Sequence, residues 1–261
     1  MIPAELRMNP APQSCVRGEA QPVRQTLLLL AVLAGASAVT ARSAAATDLA
    51  LVLLTDVSQS MDDDEYEMVK AGYRAAFNDP EVVAAILGVG GVAVAYVEFS
   101  GADEVALVKG WDTLTDSASA GAFGEAVAAA PRSSAGETAL AAGIKQAARL
   151  LTEGEFGAAR LVIDVASDHP SDGGRTAGVR DAAFADGITI NALPIISNDP
   201  IGTFDGRMTY AAPQWGQGGA LAFYNRDVIG GANSFVVEAN DFSAFAEALK
   251  RKLLLELVAS R

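Results

Sequence analysis

From residue 48 onward the chain alternates between two hydrophobic periodicities. Leu49 to Thr55 is an unbroken apolar run of strand length, the pattern of a strand covered on both faces. Asp62 to Asn78 follows, with Tyr66, Val69, Tyr73, Ala76 and Phe77 at helical spacing and acids in its first turn, which predicts a helix. Val92 to Phe99 and Val105 to Trp111 read as strands, and the short Ser100-Gly101-Ala102-Asp103 link between them predicts an antiparallel hairpin. Helices are expected at about 117–129 and 138–152, a strand at Leu161 to Ala166, a helix at Arg175 to Asp186 and a strand at Ile188 to Ile195. A Gly-, Pro- and Asn-rich stretch then runs to about Gly219, before a short helix near Leu221–Val228, a strand at Ser234–Glu238 and a long helix from Phe242 to Val258. Alternating strands and helices with one hairpin predict an α/β domain. The expected architecture is a doubly wound, mainly parallel sheet of about six strands with one antiparallel edge strand and helices on both faces.

The first 46 residues break this pattern. Arg17 and Arg24 precede an uncharged run from Gln25 to Ala41 centred on Leu27-Leu28-Leu29-Leu30-Ala31-Val32-Leu33, and small residues follow to Ala44-Ala45-Ala46. That is the layout of a signal peptide, with an apolar core shorter than the ~20 residues a membrane span needs. The expectation is a signal peptide at 1–46 and one domain at 47–261, periplasmic or secreted and with no stable membrane insertion once the segment is cleaved. An uncleaved anchor is the other reading of the same segment. The sole cysteine, Cys15, lies before the apolar run, so the remainder is free of disulfides.

Composition narrows the partners. Hydrophobic residues make up 51% of the 261 and charged residues 20%, enough apolar surface for a sizeable core. Net charge is −13, with the 19 basic residues scattered. Residues 1–46 hold four basic and two acidic residues, so the rest carries 15 basic against 30 acidic, or −15. A nucleic-acid binder needs a basic stripe to neutralise phosphates, and none is visible; anionic membrane surfaces are disfavoured for the same reason.

Chemistry collects at strand ends. Asp56, Ser58 and Ser60 follow the first buried strand directly, where such folds present side chains to the ligand crevice. Spacing of two in an extended turn lets these side chains converge. The second buried run ends at Ser167-Asp168 in the equivalent position, and Thr138 opens a helix facing the same edge. Carboxylates and hydroxyls are hard oxygen ligands, suited to Mg²⁺, Mn²⁺ or Ca²⁺. The candidate metal ligands are therefore Asp56, Ser58, Ser60, Thr138 and Asp168.

Asp-x-Ser-x-Ser after the first strand, a threonine opening a middle helix and an aspartate ending the fourth strand resemble the metal-ion-dependent adhesion site of von Willebrand factor A-like domains. The resemblance covers about residues 48–260. Phe223-Tyr224-Asn225-Arg226-Asp227-Val228-Ile229-Gly230-Gly231 and Phe245-Ala246-Glu247-Ala248-Leu249-Lys250-Arg251-Lys252-Leu253 are similar to segments of an uncharacterised family of exported bacterial proteins within that superfamily. The resemblance implies that the first and fourth strands lie side by side, bringing Asp56 and Asp168 together. It further implies that Ser58, Ser60 and Thr138 sit close to the metal, most often Mg²⁺, and that an acidic side chain of a protein partner completes the coordination. Two positions depart from the family pattern. His169-Pro170 stands where glycine usually follows the final aspartate, and Glu137 replaces a common glycine before the threonine, where it can crowd the site or take a partner carboxylate's place.

Other readings of these residues are weaker. Ser58, Ser60, Asp62, Asp64 and Glu67 match the spacing of a calcium loop starting at Asp56, but Met61 occupies the position where its sharp turn needs glycine. Asp62 to Glu65 fit the favourable acids of a helix start. Ser167, Asp168 and His169 are consecutive, so their side chains diverge and cannot form a nucleophile–base–orienter relay. Trp111 and Trp215 fall near predicted loops, where packing against the sheet is the commoner role. The expected function is a metal-dependent protein-binding module and not an enzyme. The alternatives are a metal-dependent hydrolase with Glu137 or His169 as base, and a structural or assembly protein with a vestigial metal site.

Overall fold

The computed structural model describes residues 47–170, 176–196, 200–204, 207–210 and 218–258, all within the unit Ser43–Arg261. The expected signal peptide and Trp215 lie outside the described residues. The chain runs β1 (Leu49–Asp56), α1 (Asp63–Asn78), α2 (Pro80–Gly88), β2 (Val92–Phe99), β3 (Val105–Leu114), α3 (Ser117–Ala129), α4 (Leu140–Thr152), β4 (Arg160–Ser167), α5 (Thr176–Ala185), β5 (Ile188–Pro194), β6 (Pro200–Phe204), β7 (Arg207–Tyr210), α6 (Gly219–Phe223) and α7 (Phe245–Val258). The main sheet has the order β3-β2-β1-β4-β5, with β3 the antiparallel edge and every other pairing parallel.

Alternation along β1 builds two cores. Leu49, Leu51 and Leu53 face α1, α3 and α7, packing with Tyr73, Phe123 and Leu249. Ala50, Val52 and Leu54 face α4, with Ile144, Ala147 and Leu151. All eight residues of β1 are buried, as the unbroken apolar run demands of a strand covered on both faces. Among the described residues no helix is long and apolar enough to cross a membrane.

Three differences from the sequence reading have physical causes. The main sheet has five strands. The sixth, expected at Ser234–Glu238, makes an isolated bridge to β5 at Ala192–Val236, and a second isolated bridge, Ile195–Ala239, lies just past both. There the Asn191 side chain takes up the Phe235 N–H that a regular ladder would direct to backbone (3.0 Å). The helix α2 is missing from the periodicity because it is largely apolar, and a uniformly apolar segment has no face to read. Its signal was Asp79-Pro80: Asp79 accepts the N–H groups of Glu81 and Val82, and proline occupies the first turn, where its missing N–H costs nothing. The Gly-, Pro- and Asn-rich stretch contains the antiparallel hairpin β6–β7. The expected short helix is α6 followed by a π-helical turn at Tyr224–Val228, and the last helix opens with a 3₁₀ turn at Phe242–Ala244.

The α1–α7 contact depends on Gly72. A Cβ placed there meets Phe245 Cδ1 at 2.5 Å and the Ala246 backbone at 3.4 Å. Phe245 is fully buried and packs edge-on against Tyr73, with ring centroids 5.5 Å apart, so the ring has little room to yield. Gly72→Ala is therefore expected to destabilise by about 1–3 kcal/mol through overpacking, although alanine is favoured over glycine by about 1 kcal/mol in a free helix. Urea unfolding measures it. A raised midpoint would show that α7 can move off α1 without loss.

Candidate metal centre

The C-terminal ends of β1 and β4 are neighbours in the sheet, so Asp56 and Ser167-Asp168 emerge side by side. Asp56 is fully buried, and its Oδ1 accepts the Ser58 N–H at 2.8 Å, which folds the residues after β1 back over the strand end. Its Oδ2 accepts from Ser167 Oγ at 2.5 Å. Both oxygens are thus held, and the carboxyl cannot rotate freely.

The three hydroxyls line up from there. Thr138 Oγ1 donates to Ser58 Oγ at 3.0 Å, Ser58 Oγ lies 2.9 Å from Ser60 Oγ, and Ser60 Oγ donates to Asp168 Oδ1 at 2.9 Å. With the hydrogens of Thr138 and Ser60 committed, Ser58 must be the donor to Ser60. A directed chain of hydroxyls therefore ends on the Asp168 carboxylate. Thr138 precedes α4 and is brought in by two backbone ties: Gln59 N–H donates to Gly136 C=O at 2.9 Å, and Ala139 N–H donates to Ser100 C=O at 2.7 Å. All five residues named from the sequence come from three separate segments and meet at one edge of the sheet.

Electrostatics mark the place as short of positive charge. Burial pushes the Asp168 carboxyl up to about 7, and the neighbouring Asp56 charge adds to the rise. Burial likewise raises Asp56 to about 6, against the lowering effect of the Ser167 and Ser58 hydrogen bonds. Two carboxyls that resist ionising together are stabilised by a cation placed between them. The donor set is all oxygen and contains no soft ligand, which fits a hard divalent ion. Among the described residues no group of three or more His, Cys, Asp or Glu side chains is arranged to hold a metal ion, so an ion at this edge would have to rely on two carboxyls together with hydroxyls.

The rival readings receive a structural answer. Asp62 is the N-cap of α1, and with Glu65 it forms a reciprocal capping box, which accounts for those acids as a helix start. His169 is half-buried; its Nδ1 lies 2.8 Å from the Pro170 carbonyl and its backbone N–H points at Ser167 Oγ. Ser167 gives its hydroxyl to Asp56, so no serine–histidine relay exists at this edge. Glu137 is exposed at the rim beside Thr138. Trp111 packs on Phe156, ring centroids 4.2 Å apart, and both lie against the core on the α4 side of the sheet.

Two residues were missed in the sequence. Ser167 was visible beside Asp168, but only the strand pairing reveals that it steers Asp56. Arg132, in the segment between α3 and α4, reaches the turn after β1: its Nη2 lies 2.9 Å from Val57 C=O, 2.7 Å from Ser58 C=O and 2.8 Å from Met61 C=O. A single basic residue in an Ala-, Pro- and Ser-rich loop, whose other charge is Glu137, was the only sequence signal.

Known structures share the architecture. A pilus adhesin, SpaC of Lactobacillus rhamnosus GG, superposes with a TM-score of 0.53 at 16% identity, over 81% of this chain and 31% of that one. Proximal thread matrix protein 1 of the mussel byssus gives 0.56 at 18% identity, over 81% of this chain and 47% of that one, and another of its structures is described as having a zinc-occupied MIDAS motif. A von Willebrand factor type A protein of Catenulispora acidiphila gives 0.54 at 17% identity, over 81% and 43%. This chain thus spans about a third to a half of the length of these proteins. A comparison with curated proteins returns no match. Residues 46–261 match the family described as "Protein of unknown function (DUF1194)". The chain belongs to that family, and its fold is that of a von Willebrand factor A-like domain.

Proposed function

We propose that this chain is an exported protein-binding module whose contact with its partner runs through a divalent cation held by Asp56, Ser58, Ser60, Thr138 and Asp168. The observation that carries the reading is the convergence of two carboxyls and three hydroxyls, from three distant segments, on one edge of the sheet. Such a set neutralises much of a 2+ charge and leaves room in the coordination shell, so an acidic side chain of a partner is an apt final ligand. Mg²⁺ is the preferred ion, because it is commonly held by one or two carboxylates while keeping exchangeable positions; Mn²⁺ and Ca²⁺ share the same ligand chemistry. The adhesin and matrix-protein neighbours support an interaction role. Export to the periplasm or beyond is supported by the N-terminal pattern of basic, apolar and small residues.

Calorimetric titration of the 47–261 chain with Mg²⁺, Mn²⁺ and Ca²⁺, alongside Asp56→Ala, tests the metal. Capture of envelope proteins with and without EDTA tests the partner. The expected result is heat in wild type that is absent from Asp56→Ala, and a partner released by EDTA. Equal heats in the two proteins would remove the metal reading, and a partner indifferent to EDTA would remove the metal-mediated contact.

A further inference from the structure

We propose that Arg132 is a positioning residue that sets the cation affinity of this centre by fixing the Ser58–Ser60 turn against the segment carrying Thr138; the inference rests on the metal reading above. Arg132 is mostly buried, with 16% of its side chain exposed. Its guanidinium enters the turn after β1, where Nη2 lies within hydrogen-bond distance of three carbonyls, those of Val57, Ser58 and Met61, and Nε also reaches Val57 C=O at 3.2 Å. Three backbone carbonyls of a five-residue turn thus converge on one side chain. Its Nη1 pairs with Asp63 at 3.5 Å, a fully exposed partner that adds little.

The arginine is itself anchored. Its guanidinium carbon sits 5.5 Å from the Tyr66 ring centroid, and the Tyr66 hydroxyl donates to the buried Glu98 of β2 at 2.8 Å. The next residue, Ser133, donates its backbone N–H to the other Glu98 oxygen at 2.8 Å. Glu98 therefore pins the 131–139 segment to the sheet, and Arg132 reaches from that pinned segment to the turn bearing Ser58 and Ser60. Because the same segment carries Thr138, Arg132 acts as a strut between the two groups of hydroxyls. A planar, permanently charged fork suits this task; a lysine ammonium on a flexible stem does not reproduce it.

Charge and positioning predict opposite signs. Arg132 is close enough for its positive charge to act on Asp56, so removing it would, by Coulomb's law alone, tighten the binding of a cation. Losing the strut weakens binding, because Ser58 and Ser60 are no longer held relative to Thr138. Removing groups that orient metal ligands typically lowers affinity by about 10–100-fold.

The test titrates wild type, Arg132→Ala and Arg132→Lys with Mg²⁺ and Mn²⁺ by calorimetry and follows amide hydrogen exchange in each. Arg132→Ala is expected to lose about 10–100-fold in affinity for both ions, with Arg132→Lys in between. Exchange should quicken at the amides of Ser58, Gln59 and Met61 while the strand amides of β1, β2 and β4 stay protected. Unchanged or tighter ion binding in a folded Arg132→Ala overturns the proposal, and so does unchanged exchange in the turn. Should Arg132→Ala fail to fold, Arg132→Lys decides by the same criteria. Absence of binding in wild type would instead sink the metal reading and the affinity effect with it, and the exchange data would then judge the strut alone.

Discussion

Replacing Lys252 with methionine is expected to cost about 3–5 kcal/mol of folding stability near pH 8, the usual result of removing one partner from a buried ion pair. Lys252 lies on α7 with none of its surface exposed, and its ammonium pairs with Asp164 of β4 and with Glu256 one turn along α7 (2.7 Å). Glu256 Oε1 also accepts from Asn191 of β5 at 3.0 Å, while Asp164 Oδ2 and Glu256 Oε2 are buried without hydrogen-bond partners. One ammonium thus serves two buried carboxyls. Without it, two desolvated acids face each other, and Asp164 loses the one hydrogen-bonding partner its carboxyl has there.

The effect should depend on pH, and its sign follows from Asp164. Burial pushes this carboxyl up to about 7, the Glu256 charge adding to the rise and Lys252 opposing it; its ordinary value is 3.8. Between these values the folded chain keeps the proton and the unfolded chain does not. Asp164 therefore makes stability fall as pH rises from about 4 to about 7, after which its contribution is level. Without Lys252 the carboxyl holds its proton to still higher pH, so the deficit of Lys252→Met should be smaller near pH 5 than near pH 8. Urea unfolding at the two pH values measures it. A deficit below about 1 kcal/mol, or one equal at both, would refute the account. Removing the whole cluster as Lys252→Met with Asp164→Leu and Glu256→Gln should recover most of the loss, because buried ion pairs are often no more stable than apolar replacements.

This cluster also shows where the sequence stops being legible. β1 was readable because a strand covered on both faces must be apolar throughout, and polar residues then gather at its C-terminal end, as Asp56, Ser58 and Ser60. Thr138 and Asp168 were readable because helix starts and strand ends recur at that edge. Asp164 was not, since one acid inside the apolar run Leu161 to Ala166 still leaves a strand pattern, and its partner lies 88 positions away on α7. Lys252 and Glu256, an i,i+4 pair of opposite charge, look in sequence like the solvated face of a helix. Arg132 shares this fate: its three acceptors are backbone carbonyls, which every residue carries. Local periodicity reports burial of side chains, whereas contacts from side chain to backbone, or between distant charges, leave no periodic trace.

Asp168→Asn is expected to separate metal binding from folding at the proposed centre. Asp168 supplies one of the two carboxyls, so its loss should weaken Mg²⁺ binding by more than about 100-fold, beyond what is typical for residues that only orient ligands. In EDTA the same change should stabilise the chain near pH 8. There the folded state must ionise a carboxyl whose pKa burial and the Asp56 charge have raised from 3.8 to about 7. At about 1.4 kcal/mol per unit this is a penalty of up to roughly 4 kcal/mol. Asparagine avoids the charge but accepts a weaker bond from Ser60, so a net gain of about 1–3 kcal/mol is expected. Since the folded state holds the Asp168 proton above the pH at which the unfolded chain has lost it, metal-free wild type loses stability as pH rises from about 4 to about 7, with Asp56 contributing up to about 6. Mg²⁺ favours the ionised carboxyls and displaces those protons, so its stabilising effect should be full above about pH 7 and fade below about pH 6. At an ion concentration of about 100 times the dissociation constant it should amount to about 2.7 kcal/mol. Urea unfolding of both proteins across this pH range, with Mg²⁺ and with EDTA, tests every part of the argument. If Asp168→Asn binds Mg²⁺ as wild type does, Asp168 is no ligand; if it is the less stable protein in EDTA near pH 8, the two carboxyls do not oppose each other.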